Sequence, residues 1–454
     1  MNSKNPPEYL PEDWRFGTDG IRGPVVDKMN PLFMVKLGYA AGKALNDEGI
    51  SKILIGKDTR ISGYMIESAL EAGFISSGLD VVFLGPLPTP AVAYLAKSNK
   101  QAGLVISGSH NSYEDNGIKF FNKDGFKISY QLEKKIESKL LEEISVVEPK
   151  KLGKATRLND AGGRYIEFCK SSSPSLDLSG LSLVVDCAHG ANYLIAPQIF
   201  SELGASVVTL GASPDGININ HNCGSTHPER LKKEVLQNKA DLGIAFDGDG
   251  DRLIIVDKNG KVLDGDDLLY TLVAAKYLDS NKHQNSTGIV GTLMTNKSLE
   301  IYLDKEGIDF CRTDVGDKYV LRELIKRKWI LGGEPSGHII CLDSTTTGDA
   351  LIASLQVLSS IRESNYDISK ILKTFNKFPQ ELVSLNVSSP QTIIMNNKIR
   401  SEVSKLEKKL GIEGRVLLRP SGTEPLIRVM VEATSENLAK DLAKELAEFI
   451  KKAV

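Results

Sequence analysis

Ser109, His110 and Asn111 stand in a glycine-softened turn directly after the apolar run GLVI. Asp247, Asp249 and Asp251 alternate with glycines in FDGDGDR. A serine in such a turn can simply satisfy free backbone N–H groups. It becomes a reacting group when a base activates it, or when its task is to hold and release phosphate. A hydrolase nucleophile elbow needs G-x-S-x-G, and Asn111 takes the place of the last glycine, which argues against an esterase. Lys119 lies between apolar residues in DNGIKFF, where a desolvated ammonium can donate protons or pair with phosphate; a solvated strand lysine is the bland alternative.

The aspartates sit between the apolar runs LGIAF and LIIV, so they occupy a loop joining strands. Glycines between them let the chain curl and aim three carboxylates at one centre. Oxygen-only ligation by few protein groups suits Mg²⁺. An EF-hand is excluded, because Arg252 stands at its sixth position and Lys258 at its twelfth. The run also resembles the hhhDxDx(T/V) start of aspartyl-phosphate phosphatases, in which Asp247 would be the nucleophile, although Asp251 stands where Thr or Val is expected. Two further loops carry polar groups. In GGEPSGH, Glu334 and Ser336 can read sugar hydroxyls or an amine, or form a plain turn. In RPSGTEPLIR, Ser421, Gly422 and Thr423 lie between Arg419 and Arg428, a set that suits a phosphate dianion.

The elements that must position these loops read as α/β units. Short apolar runs beginning at Ile53, Gly103, Leu181, Leu242, Gly288 and Trp329 end in polar turns. Between them lie helical stretches from Met65, Tyr130 and Pro228. That alternation predicts mostly parallel sheets, with ligands beyond the carboxyl ends of the strands. A chain of 454 residues exceeds a single core. Breaks in the rhythm divide it at 1–155 with the serine loop, 156–258 with the aspartate loop, 259–377 with the Glu334 loop, and a smaller α+β unit at 378–454. The turn Asp257-Lys258-Asn259-Gly260 is read as closing the second unit, and the stretch from Phe375 as a linker. Lys and Arg total 56 against 58 Asp and Glu, a balance that argues against nucleic-acid and membrane-surface binding. Five cysteines without a C-x-x-C pair, and no apolar leader, fit a cytoplasmic protein with reduced thiols.

Several motifs in order, RFGTDGIRG, ISGSHN with DNGIKFF, GININHNCGSTHPE, FDGDGDR, VGTLMTN, VGDKYV, GGEPSGH and RPSGTEPLIRVM, resemble the phosphohexomutases over nearly the whole length. FGTDGIRG and CGSTHPE favour the phosphoglucosamine mutase branch over the phosphomannomutase/phosphoglucomutase branch. The resemblance implies four domains around a central cleft, three related α/β units and a smaller C-terminal one. It implies a phosphoserine at Ser109 sharing Mg²⁺ with Asp247, Asp249 and Asp251. His110, Lys119 and Arg22 would stand near the reacting oxygens, with Lys119 handling protons, and Arg252 close to the phosphoserine. Glu334 and Ser336 would read the sugar; Arg419, Ser421, Gly422, Thr423 and Arg428 would hold the non-reacting phosphate. The implied reaction interconverts glucosamine 6-phosphate and glucosamine 1-phosphate through glucosamine 1,6-bisphosphate, which also activates the enzyme, and feeds amino-sugar nucleotide and cell-wall precursor synthesis. A homodimer is the implied assembly. Ser112 departs from the usual S-H-N-P, and Pro335 from a polar residue in the sugar loop. A phosphatase using Asp247 and a non-catalytic sugar-phosphate sensor are the competing readings.

Overall fold

The computed structural model describes residues 10–277, 288–387, 389–420 and 426–453. It divides into two compact units, Met1–Leu293 with Cys311–Ile371, and Met294–Phe310 with Leu372–Val454.

The first unit holds a six-stranded sheet of β1 (Ile21–Pro24), β2 (Lys52–Lys57), β3 (Asp80–Pro86), β4 (Ala102–Ile106), β5 (Asp115–Phe121) and β6 (Ala155–Arg157), in the order β1-β5-β4-β2-β3-β6. A five-stranded sheet follows, of β7 (Ser182–Asp186), β8 (Ser206–Leu210), β9 (Leu242–Phe246), β10 (Leu253–Asp257) and β11 (Val262–Leu263), in the order β11-β10-β9-β7-β8. Next come β12 (Gly288–Thr292), β13 (Asp309–Thr313), β14 (Leu331–Gly333) and β15 (Ile339–Cys341), in the order β13-β12-β14-β15. The apolar runs read from sequence are the parallel, largely buried strands β2, β4, β7, β9, β12 and β14. β4 and β9 are buried along their whole length, as strands covered by helices on both faces must be. Phe33, Leu37, Ile55, Ile66, Leu70, Phe74, Leu104 and Ile106 make up part of one such core. The helix Pro31–Asp47 that covers it starts where Asn30 accepts the Phe33 N–H at 2.9 Å, with Pro31 just inside.

Each of these sheets also carries an antiparallel pair: β4–β5, β9–β10 and β14–β15. The turn after Ser109 therefore leads into a strand, not into the helix that a plain parallel unit would supply. Asp257 to Gly260 is likewise the turn of the β10–β11 hairpin.

In the second unit β16 (Gln380–Asn386), β17 (Arg415–Pro420) and β18 (Leu426–Glu432) form an antiparallel sheet in the order β16-β18-β17. Part of the stretch read as a linker is thus the strand β16, paired along its length with β18. Leu442, Leu446 and Ile450 of the helix Glu436–Ala453 pack on this sheet with Val429 and Val431. Asn296, the cap of the helix Lys297–Lys305, also bonds both the N–H and C=O of Phe378, at 3.2 and 2.9 Å. That helix therefore belongs with the C-terminal sheet. Among the described residues no helix is long and apolar enough to cross a membrane.

Candidate active site

Strand register builds the site. The β4–β5 pairing sets Val105 opposite Lys119, and the β1–β5 pairing sets Arg22 opposite Gly117. Lys119 and Arg22 therefore flank the hairpin loop that carries Ser109. The β9–β10 pairing of Phe246 with Leu253 makes Asp247 to Arg252 the next hairpin loop. Gly333 opposite Ile339 makes Glu334 to His338 the third.

Ser109 is 1% exposed, and its Oγ donates to Asp247 Oδ2 at 2.8 Å. His110 Nδ1 lies 3.2 Å from the same Oγ. Burial, then the charges of Arg252 and Arg22, push the His110 imidazole down to about 4, so the ring is neutral at physiological pH. Those two guanidinium groups set positive charge beside His110. Arg22 Nε is a buried donor with no hydrogen-bond partner among the described residues.

Asp247, Asp249 and Asp251 each present an oxygen within 4.8 Å of the others, and all three are buried. Burial, then Asp251 and Asp249, push the Asp247 carboxyl well above its usual range. Burial also opposes ionisation of Asp251, but Lys119 and His338 outweigh it and hold that group well below. Asp249 Oδ1 and Asp251 Oδ1 are buried acceptors without a hydrogen-bond donor among the described residues. Three convergent carboxylates, one driven towards protonation and two with bare oxygens, fit a hard divalent cation.

Around this trio runs a closed ring of alternating charge. Lys119 Nζ lies 3.3 Å from Asp19 and from Asp251, and 2.8 Å from Asp249. Asp19 also pairs with Arg22 and Lys127. Lys127 reaches Asp317 at 2.5 Å. Asp317 lies 3.9 Å from His338 Nε2, and His338 Nδ1 lies 3.8 Å from Asp251, which returns to Lys119. Burial opposes the charge on Lys119, yet Asp19, Asp249 and Asp251 outweigh it and raise its pKa. This ammonium holds its proton firmly while the trio is bare. Burial likewise opposes the charge on His338, but Asp251, Asp317 and Glu334 raise it to about 9.

Glu334 is buried and accepts the Gly316 N–H at 2.9 Å, while Ser336 is exposed on the same loop. The first unit thus brings together Ser109, His110, Lys119, Arg22, Asp247, Asp249, Asp251 and Arg252. Arg419 and Arg428 belong to the second unit, where they face each other across β17 and β18. Ser421, Gly422 and Thr423 lie outside the described residues. Sequence reasoning missed Asp19, Lys127, Asp317 and His338. Asp19, Asp317 and His338 stand inside quoted motifs and Lys127 lies just beyond one, and only their spatial pairing marks them.

Models of four successive domains of the phosphoglucomutase/phosphomannomutase family match the chain: domain I over 14–146, domain II over 163–260, domain III over 264–378 and the C-terminal domain over 382–449. A phosphoglucosamine mutase of Aeromonas hydrophila subsp. hydrophila is 53% identical over 441 residues, covering 96% of this chain and 99% of that protein. The crystal structure of a phosphoglucomutase/phosphomannomutase family protein from Burkholderia thailandensis superposes with a TM-score of 0.82 at 25% identity, covering 98% of both chains. The Aspergillus fumigatus N-acetylphosphoglucosamine mutase, solved with GlcNAc-6P and magnesium, gives a TM-score of 0.67 at 18% identity, covering 97% of this chain and 96% of that one.

Proposed function

The chain belongs to the phosphoglucomutase/phosphomannomutase family, and on that premise we propose that it is a phosphoglucosamine mutase, an isomerase that interconverts glucosamine 6-phosphate and glucosamine 1-phosphate. The observation that carries this reading is Ser109 Oγ at 2.8 Å from Asp247, the first of three buried carboxylates that converge within 4.8 Å.

In this reading Ser109 carries the phosphoryl group. The sugar's O1 attacks the phosphorus, the bond from phosphorus to Ser109 Oγ breaks, and the proton of the sugar hydroxyl ends on Ser109 Oγ. The product, glucosamine 1,6-bisphosphate, turns over in the site. Ser109 Oγ then attacks the phosphorus on O6, that P–O6 bond breaks, O6 takes the proton, and glucosamine 1-phosphate leaves. Asp247, Asp249 and Asp251 are the groups that would hold Mg²⁺, which when bound offsets negative charge on the transferring group. Arg22 and Arg252 supply fixed positive charge around the same oxygens. His110, neutral, can accept a hydrogen bond at Nδ1. Lys119, held protonated by Asp19, Asp249 and Asp251, would be the group that hands a proton to a leaving oxygen. Glu334 and Ser336 read the sugar, and Arg419 and Arg428 with Ser421, Gly422 and Thr423 hold the idle phosphate. The four-domain division at 155, 258 and 377 is part of the same reading, supported by the four successive family matches.

Phosphorus NMR tests it. Purified protein receives Mg²⁺, a trace of sugar bisphosphate, and glucosamine, glucose or mannose 6-phosphate in separate tubes. Rapid 1-phosphate formation from the glucosamine substrate, without inorganic phosphate, is expected. Faster conversion of glucose or mannose phosphate would overturn the sugar, and inorganic phosphate alone would move the nucleophile to Asp247. Ser109→Ala is expected to abolish both turnover and the covalent phosphate.

A further inference from the structure

Arg60 is fully buried beneath the serine loop, and its side chain is spent almost wholly on backbone oxygens of that loop. Nη2 donates to the carbonyls of Ser109 and Asn111, each at 2.9 Å. Nη1 donates to the carbonyls of Ser112 and Asp115, the latter at 3.1 Å. Nε pairs with Asp58 at 2.8 Å, which fixes the plane of the guanidinium. Gly108 makes room for it: a Cβ there would meet Arg60 Cζ at 2.9 Å. Asn220, from the segment before β9, grips two of the same oxygens from another side. Its Nδ2 donates to Ser109 O at 2.8 Å and to Asn111 O at 3.0 Å. Ser107 Oγ accepts the Ser109 N–H at 2.9 Å and donates to the same Asp58 at 2.6 Å.

These donors converge on a residue in an unfavourable backbone state. Ser109 has φ +52°, the left-handed region that costs a non-glycine residue free energy unless its surroundings enforce it. That conformation turns the serine side chain towards Asp247 while its carbonyl faces Arg60 and Asn220. We propose that Arg60 and Asn220 are positioning residues that clamp the Ser109 carbonyl and so keep Oγ over the aspartate trio through both half-reactions. The inference rests on Ser109 being the phosphoryl carrier.

The experiment follows single-turnover loss of phosphate from Ser109 by intact mass, mixing phosphorylated enzyme with glucosamine 6-phosphate and Mg²⁺. Transfer is expected to slow on the order of 100-fold in Arg60→Ala, and about tenfold in Asn220→Gly, with KM unchanged, because misplacing a reacting atom affects the chemical step more than binding. Glycine suits the left-handed backbone of Asn220 at φ +58°, so that variant keeps its fold and tests the clamp even if Arg60→Ala does not fold. Added guanidinium is expected to restore transfer in Arg60→Ala and not in Asn220→Gly. Amide exchange in residues 107–115 is expected to quicken in both. Wild-type transfer rates in folded variants, with only their melting temperatures lowered, would overturn the clamp while leaving the carrier in place. A wild-type protein that turns over with no phosphate ever on Ser109 would remove the carrier and the clamp together.

Discussion

The loops at Ser109 and at Asp247 are both hairpin connections at the ends of buried strands, and they differ in what their side chains are left to do. The serine loop is tied through its carbonyls by donors from elsewhere, Arg60 and Asn220, so its backbone is satisfied and its side chain is aimed. The aspartate loop is tied partly by its own first residue, whose Oδ1 accepts the N–H groups of Asp251 and Arg252, both at 3.1 Å, and partly by the N–H groups of Ala191, Thr89 and Ala350 on the carbonyls of Gly248, Asp249 and Gly250. Asp249 Oδ1 and Asp251 Oδ1 are left without a hydrogen-bond donor among the described residues. A loop that must keep one atom in place is clamped, and a loop suited to a cation keeps two acceptor oxygens free for it.

The largest expected effect separates the two loops directly. Asp247→Asn should lower turnover by about three orders of magnitude, as loss of charge stabilisation at a transferring group does. In chelator the same variant should melt higher than wild type. The Asp247 carboxyl is pushed up in the folded state, so its ionisation subtracts stability as pH rises through that raised value, and asparagine removes the penalty. Melting at pH 8 with chelator or Mg²⁺ checks this; an equal gain from Mg²⁺ in both proteins would break the comparison.

Gly248→Ala probes where the loops touch. A Cβ there would lie 2.6 Å from Ser109 O and 2.8 Å from Asn220 Nδ2, so one loop must move. Turnover should fall about 100-fold, with a loss of roughly 1–3 kcal/mol in urea unfolding. Unchanged kinetics would mean that the serine loop tolerates displacement.

Lys127→Met opens the charge ring at the member three links from Asp251 in either direction. About a tenfold drop in kcat is expected, with Lys127→Arg recovering most of it. Equal activity of both variants and wild type would reduce the ring to packing.

The smallest effect on activity sharpens the contrast with a buried carboxylate outside both loops. Burial pushes Asp349, which caps the helix Ala350–Ile361 and accepts from Tyr165 Oη at 2.8 Å, from 3.8 up to about 6. Its folded-state pKa is raised, so its contribution is fully present below pH 4 and is lost as pH rises through 6. That loss is about 3 kcal/mol. Asp349→Asn should flatten the stability profile between pH 4 and 6, measured by urea unfolding, and leave turnover at neutral pH unchanged.

Much of this was legible beforehand for a physical reason. β4, β9 and β14 are buried on both faces, so each reads as an uninterrupted apolar run whose end marks a loop. The aspartates are two residues apart, and glycines announce their convergence. β5, β10 and β15 were less legible, because period and composition do not say whether the strand after a loop returns antiparallel. The linker reading failed at β16, a mostly exposed edge strand whose pattern is too polar to stand out. Asp19, Asp317 and Arg60 escaped because a charged residue's partners cannot be read from its neighbours. Lys127 and Asp317 are 190 positions apart, and Arg60 and Ser109 are 49 apart.

The sequence by itself determined the family, the α/β plan and the groups available for chemistry, since each is written in local pattern or in motif order. Tertiary structure alone decided which basic group each carboxylate answers to and which way Ser109 faces. Those depend on strand register and on buried contacts between distant segments, and neither is encoded in any short stretch of the chain.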